Sequence, residues 1–162
     1  MCADFPADCS VRVSTCRLED LGEVETVLQL CPEAAAWTPI GLAEALRNHP
    51  SYFLVAWRRQ RIEGFITGRQ AMDEGEILNL AVRPDSRRKG TGLALVGALL
   101  NGFAGKGVTQ VFLEVRPSNS AAISFYHRLG FRQIATRPAY YRNPDEPALV
   151  LSCPLSSSPG TA

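Results

Sequence analysis

Val82-Arg83-Pro84-Asp85-Ser86-Arg87-Arg88-Lys89-Gly90-Thr91-Gly92-Leu93 joins an apolar run to a helical pattern, and its reading decides the fold. Ile77, Leu78, Leu80, Ala81 and Val82 lead into it with the composition of a buried strand. Three consecutive cations then meet two glycines. Beyond them Leu93, Val96, Leu100 and Phe103 recur at the spacing of one helix face. Glycine lets backbone approach a ligand closely, and the first N–H groups of a helix have no partners inside it. A strand, a basic turn, two glycines and a helix in that order form an anion site suited to a pyrophosphate. The pattern is not a phosphate loop ending in Gly-Lys-Ser/Thr. Nor is it the G-x-G-x-x-G of a dinucleotide fold, because three strands precede it.

Working outward, alternation at Ser10–Arg17 predicts a first strand with Val11 and Val13 on one face. Leu21, Val24 and Leu28 predict a helix with Asp20 as N-cap, stopped by Pro32. Pro39 to Arg47 predicts a second helix, with proline in its first turn. Tyr52–Trp57 and Ile62–Gln70 read as a hairpin around the polar turn Arg58–Arg61, and Gly75–Val82 as a third consecutive strand. After the helix that begins near Gly92 come a strand at Val108–Val115 and a helix capped by Asn119. On that helix Ala122, Phe125, Tyr126 and Leu129 share a face, and Gly130 ends it. Two strands close the chain, Phe131 through Tyr141 and Ala148–Cys153. The order β-α-α-β-β-β-α-β-α-β-β predicts an α/β fold with a mixed sheet, antiparallel in its first half and parallel at its centre, with helices on both faces. One domain over residues 10–154 is expected, between a flexible extension at 1–9 and a Ser/Pro/Gly-rich tail at 155–162.

Composition narrows the function classes. The chain has 162 residues, 46% apolar and 20% charged, which is the range of an ordinary globular domain. A net charge of +1 gives no general attraction to nucleic acid or acidic membrane. No stretch approaches the roughly 20 apolar residues of a membrane span, and the N-terminus, with Asp4 and Asp8, is not a signal peptide. Cys2, Cys9, Cys16, Cys31 and Cys153 are odd in number and without C-x-x-C, so reduced thiols and a cytoplasmic location are expected. Two histidines, His49 and His127, complete no zinc spacing, and no metal is expected.

Several residues carry possible chemistry, each beside a plainer role. Glu114 stands alone in an apolar strand, where a carboxylate needs a partner or water, so it is either an edge or barrel-mouth residue facing water or a functional carboxylate. Tyr126, on the following helix, is a core aromatic on the face of Ala122 and Leu129, or approaches one cleft with Glu114. Tyr140 and Tyr141, before a loop containing Pro144 and Pro147, read as a hairpin aromatic pair in contact with the core. Asp73, Glu74 and Glu76 form a small acidic group that reads as a solvated turn or an attractor for an amine.

R-x-x-G-x-G at Arg87–Gly92 resembles the acetyl-CoA pyrophosphate loop of the GNAT (GCN5-related) N-acetyltransferases. The motifs Ile77–Val82, Leu113–Arg116, Ser118–Ile123, Phe125-Tyr126 and Leu129–Phe131 follow in that family's order. As a set they are most similar to those of the bacterial ribosomal-protein N-terminal alanine acetyltransferases. The resemblance spans roughly Ile77 to Tyr141, with a weaker echo at Ala36-Trp37-Thr38-Pro39. It implies acetyl-CoA as cosubstrate, held by Arg87, Arg88, Lys89, Gly90, Thr91 and Gly92, by the backbone of Leu80, Ala81 and Val82, and by Asn119. It implies Glu114 as the base that takes a proton from the substrate ammonium, and Tyr126 as the acid that protonates the departing thiolate. Tyr140 and Tyr141 would contact a protein or peptide acceptor, such as the N-terminus of a ribosomal protein. Neither nucleic acid nor membrane is expected as a partner, and the chain is expected as a monomer or weak homodimer. A lysine, an antibiotic amine or a polyamine remains an alternative acceptor, and a coenzyme A-binding module without turnover remains the alternative of another class.

Overall fold

The structure, a computed structural model, describes residues 11–156. The expected N-terminal extension, Cys2 and Cys9, and the tail from 157 onward lie outside the described residues. Strands β1 (Arg12–Thr15), β2 (Phe53–Arg58), β3 (Arg61–Ala71), β4 (Glu74–Val82), β5 (Gln110–Val115), β6 (Arg132–Tyr141) and β7 (Glu146–Pro154) alternate with four helices. The helices are α1 (Leu21–Gln29), α2 (Pro39–Asn48), α3 (Thr91–Ala104) and α4 (Ser120–Arg128). Element type and order are those expected from the sequence. Hydrogen bonds order the strands β1-β2-β3-β4-β5-β7-β6, with β4 parallel to β5 and antiparallel pairing at β1–β2, β2–β3, β5–β7 and β6–β7. The α/β class with a mixed, centrally parallel sheet is therefore observed. The described residues fall into two compact units.

One unit comprises residues 11–69 and Leu78–Phe103. Its core gathers Val24, Val27 and Leu28 of α1, Leu42 of α2, Phe53 and Val55 of β2, Ile62 and Phe65 of β3, and Ala81 of β4. Val24, Val27 and Leu28 lie on one face of α1, which is why that short segment is helical here. Asp20 precedes α1 but does not cap it. Its carboxylate accepts from the Arg17 backbone N–H (2.8 Å) and closes the preceding 3-10 turn, Leu18–Asp20, instead. Thr38 does cap α2, accepting from the Gly41 N–H at 3.1 Å, with Pro39 in the first turn as expected. α3 buries Leu95, Val96, Leu99, Leu100 and Phe103, and the Phe103 ring meets Tyr52 at 4.7 Å. A Cβ on Gly64 of β3 would lie 2.7 Å from the Ala81 carbonyl and 3.2 Å from both Val82 and Leu95. Only glycine lets β3 run this close to the end of β4.

The other unit comprises Gln70–Ile77 and residues 104–156. β5 buries Val111, Leu113 and Val115 and leaves Gln110, Phe112 and Glu114 half-buried, so it alternates rather than being apolar throughout. It pairs in parallel with β4 over Glu74–Ile77 against Gln110–Leu113, and antiparallel with β7 along its whole length. Asn119 caps α4, accepting from the Ala122 N–H at 3.1 Å, and Gly130 ends the turn after it at φ +95°. Pro147, expected in the loop after Tyr141, is the second residue of β7. Leu155, expected in the tail, is buried and donates its N–H to the Thr109 carbonyl at 2.8 Å.

Candidate active site

The basic turn lies between β4 and α3. Its backbone is left-handed at Arg88 (φ +58°) and at Gly90 (φ +83°). A left-handed residue costs a side-chain-bearing position energy, and such turns set successive N–H groups toward one side. The turn is braced from below by Glu63 of β3, a buried carboxylate that was not foreseen as a functional residue. The Arg58 Nε donates to both Glu63 oxygens at 3.1 and 3.0 Å, and the Thr91 hydroxyl donates to Oε2 at 3.1 Å. The Glu63 carbonyl accepts from the Arg83 N–H at 2.8 Å, and the Arg83 side chain reaches the Ile62 carbonyl at 2.9 Å. Glu63 thus ties the start of the turn and the first residue of α3 to one strand.

The three cations differ in what they hold. Arg87 donates to Glu33 and, through Nε, to the Val82 carbonyl at 3.1 Å. Lys89 donates to the Asp85 carbonyl at 2.7 Å. Arg88 is exposed and makes no ion pair among the described residues. Arg87 and Lys89 thus hold the turn in shape, with the exposed Arg88 guanidinium between them. Arg61 donates to Asp85 at 3.1 Å, and that hydrogen bond holds the Asp85 carboxyl below its usual range. A cavity of about 480 Å³ opens beside the turn, lined by Arg58, Arg59, Gln60, Arg61, Glu63 and Lys89.

Leu80, Ala81 and Val82 sit on β4 as expected, with Ala81 buried and its neighbours half-buried. Asn79, a second residue the sequence did not single out, is buried beside them. It accepts from the Ala35 N–H at 3.2 Å and donates to the Ala35 carbonyl at 3.0 Å. That reciprocal pair fixes the segment before Trp37 against β4. Cys31, a buried thiol, donates to the Val82 carbonyl at 3.2 Å.

In the other unit the structure brings Glu114, Tyr140 and Tyr141 together. The Glu114 side chain keeps 15% of its surface and pairs with Arg137 of β6, Nε to Oε1 at 3.0 Å. The Tyr140 phenol hydrogen-bonds the same carboxylate; that bond, with partial burial second, raises the Tyr140 pKa. Tyr141 meets Tyr140 edge-on, ring centroids 5.0 Å apart. Burial, reinforced by the charge on Glu114, pushes the Tyr141 phenol up to about 12. Arg116, the residue after β5, stacks over the Tyr141 ring at 4.3 Å. Its guanidinium also donates to the carbonyls of Arg142 and Pro144, each at 2.9 Å, and to Glu146 at 3.3 Å. Glu146 accepts from the Ser118 hydroxyl at 2.9 Å as well. Arg116 therefore holds the β6–β7 turn and one tyrosine at once. Asp73 accepts from Thr109 in an exposed turn.

Tyr126 lies on α4. It is buried between Phe125 and Phe131, with ring centroids at 5.3 and 5.4 Å, and burial pushes its pKa up. Among the described residues it makes no hydrogen bond or ion pair with Glu114. Asn119 commits its side-chain oxygen to the α4 cap. No group of His, Cys, Asp and Glu suited to a metal occurs among the described residues, and no helix there is long and apolar enough to cross a membrane.

The mixed sheet with its parallel β4–β5 pair, and a glycine turn feeding α3, place the chain among α/β proteins. The acetyltransferase (GNAT) family profile matches residues 18–131, and the chain belongs to that family. The ribosomal protein bS18-alanine N-acetyltransferase of Escherichia coli K12 is 38% identical over 98 residues, 59% of this chain. That match covers 66% of the relative, just under two thirds of its length. The enzyme of the same name from Haemophilus influenzae is 31% identical over 147 residues, covering 89% of this chain and 97% of the relative. The crystal structure of the ribosomal-protein-S18-alanine N-acetyltransferase from Escherichia coli superposes with a TM-score of 0.78 at 28% identity, over 94% of this chain and 98% of that one.

Proposed function

We propose that the chain is an acetyl-CoA-dependent N-acetyltransferase acting on the N-terminal α-amine of a protein, by direct attack with both substrates bound. The names of its relatives favour an alanine-starting ribosomal protein as the acceptor, which would put the reaction in the cytoplasm. The observation that carries the reading is the Glu114 carboxylate, mostly desolvated on β5 yet furnished with a cation and a phenol. A carboxylate kept in such surroundings suits proton transfer rather than packing.

The pyrophosphate is assigned to the amides of Lys89–Gly92 and to Arg88, with Arg87 and Lys89 shaping the turn. The acyl and pantetheine portion is assigned to the backbone of Leu80, Ala81 and Val82 and to Asn119. The amine nitrogen attacks the thioester carbon, and the developing oxyanion takes a backbone N–H of the Leu80–Val82 segment. Glu114 takes the proton that nitrogen loses as the C–N bond forms. The C–S bond breaks, and Tyr126, which burial keeps protonated at neutral pH, supplies the proton to the thiolate. Tyr140 and Tyr141 line the acceptor's path to Glu114.

The test is mass spectrometry of an acceptor panel with acetyl-CoA: alanine-starting peptides, an N-terminally blocked lysine peptide, and small amines. One acetyl added to the free α-amine is the expected result. Acetylation confined to the lysine peptide or the small amines defeats the acceptor assignment. No thermal stabilisation by acetyl-CoA defeats the enzyme reading.

A further inference from the structure

The proposed base already carries a cation. Arg137 reaches Glu114 from β6 at 3.0 Å, and it is a permanent one, because a guanidinium does not lose its proton in proteins. Glu114 is largely withdrawn from water, whereas the Arg137 side chain keeps 62% of its surface. The remaining groups facing the pair are Tyr140, donating to Glu114, and Tyr141 from β6, with Glu76 of β4 acting on Tyr140. Arg116 and Glu146 are occupied with each other. A carboxylate with a guanidinium and a phenol on it has no charge left to attract a second cation, and an arriving ammonium meets Arg137 as a like charge.

We infer that Arg137 is a specificity-determining residue: by occupying Glu114 it excludes acceptors that arrive as ammonium ions and admits those that arrive as neutral amines, and so selects α-amines over lysines. The inference rests on the reading of Glu114 as the base. Its force comes from the acceptors' own chemistry. With an α-amine pKa of about 7.7–8.0, about one N-terminus in ten is neutral at pH 7; with a lysine pKa of about 10.4, about one side chain in 2,500 is. A filter for the neutral form therefore favours the N-terminus by a few hundred-fold before any contact with the peptide. Glu114 still has its task, because the nitrogen becomes cationic as the C–N bond forms, and that proton leaves to the carboxylate.

The experiment compares wild type, Arg137→Gln and Arg137→Lys on two peptides, one with a free N-terminal alanine and one N-terminally blocked with a single lysine. The ratio of kcat/KM values is read first. It falls about 10-fold or more in Arg137→Gln and returns toward wild type in Arg137→Lys, which restores a cation. Calorimetry of alanine-peptide binding at pH 7, in buffers of differing ionisation enthalpy, reads the second quantity. Wild type releases close to one proton per peptide bound, and Arg137→Gln releases markedly fewer. An unchanged ratio in Arg137→Gln, with normal turnover, overturns the role of Arg137 and leaves the acetyltransferase reading standing. Wild-type binding without proton release also overturns it, since the ammonium then docks after displacing the arginine. A wild-type protein that binds acetyl-CoA but neither binds nor acetylates either peptide overturns the acceptor reading and this inference with it.

Discussion

The Thr91 hydroxyl donates to the buried Glu63 carboxylate at 3.1 Å, joining the first residue of α3 to the start of β3. Arg58 of β2 donates to the same carboxylate, and Arg61 approaches it at 3.8 Å. Glu63→Ala takes from the Arg58 Nε and the Thr91 hydroxyl the acceptor they share. Breaking a buried pair by removing one member costs about 3–5 kcal/mol, and Arg58 keeps 24% of its side-chain surface in water, so about 3 kcal/mol is expected. Urea unfolding measures it. Acetyl-CoA affinity should fall in the same variant, because the turn that presents Arg88 loses its brace. A stable Glu63→Ala with unchanged affinity would mean that the turn holds its shape without β3.

Gly64 tests the same brace by shape alone. A methyl there sits 2.7 Å from the Ala81 carbonyl, closer than Cβ atoms come to backbone. Gly64→Ala must push β3 from β4 and should cost about 2 kcal/mol, within the range for overpacking. Thermal denaturation reads the loss. Gly22→Ala, where nothing lies within 4 Å of the added carbon, is the control and should be neutral or slightly stabilising.

Arg87 and Arg88 are adjacent and should behave differently. Arg88 has no ion-pair partner among the described residues, so Arg88→Ala should weaken acetyl-CoA binding about 10-fold and leave Tm unchanged. Arg87 holds Glu33 and the Val82 carbonyl, so Arg87→Ala should lower Tm as well as affinity. Equal effects on both measurements for both variants would undo this division of labour.

The order of strands and helices was legible because nearly every element carries its own period and its own stop: Pro32 after α1, Pro39 opening α2, Gly130 after α4. The positions of Glu114 and the tyrosine pair were legible for a related reason, since a lone carboxylate in an apolar strand stands out. What holds them was not. Arg137 on β6 and Arg116 just past β5 look like ordinary surface charges until the fold places them against Glu114 and Tyr141. Glu63 reads as the polar flank of a hairpin, and its partner Thr91 is 28 residues away. Asp20 had the right residue type for a helix cap, but a competing local turn claims its carboxylate. Sequence pattern exposes residues that break a period. It does not expose charges whose partners come from another strand.

The chain has four tyrosines, and the pKa of each is raised: Tyr52 and Tyr126 by burial, Tyr141 by burial first, Tyr140 by its bond to Glu114. A raised phenol pKa favours the neutral form in the folded state. The stabilisation is therefore complete below the unfolded value of about 10 and is lost as pH rises through the folded value, about 12 for Tyr141. Spectrophotometric titration of the native protein should show no phenolate step at pH 10. Ionisation should instead appear late and coincide with unfolding, while the protein in guanidinium titrates near 10. A step of one tyrosine at pH 10 in the native state would mean that Tyr140, the most exposed at 47%, is not held by Glu114.

Glu114 and Tyr126 should contribute unequally to turnover. Glu114→Gln keeps shape and removes the proton acceptor, so kcat should fall about 10²–10³-fold, within the usual range for a general base. Tyr126 is a weaker acid than an ordinary phenol because of its burial. The thiol it would form has a pKa of about 8.5 by analogy with cysteine. A thiolate is a tolerable leaving group at neutral pH, and a phenol above 10 transfers its proton to it only partly in the transition state. Tyr126→Phe should therefore cost only about 10-fold in kcat, with acetyl-CoA affinity retained, measured by initial rates with saturating peptide. A loss as large as that of Glu114→Gln would require full proton transfer from Tyr126, and hence a phenol far more acidic in the loaded enzyme than its Phe125 and Phe131 surroundings make it.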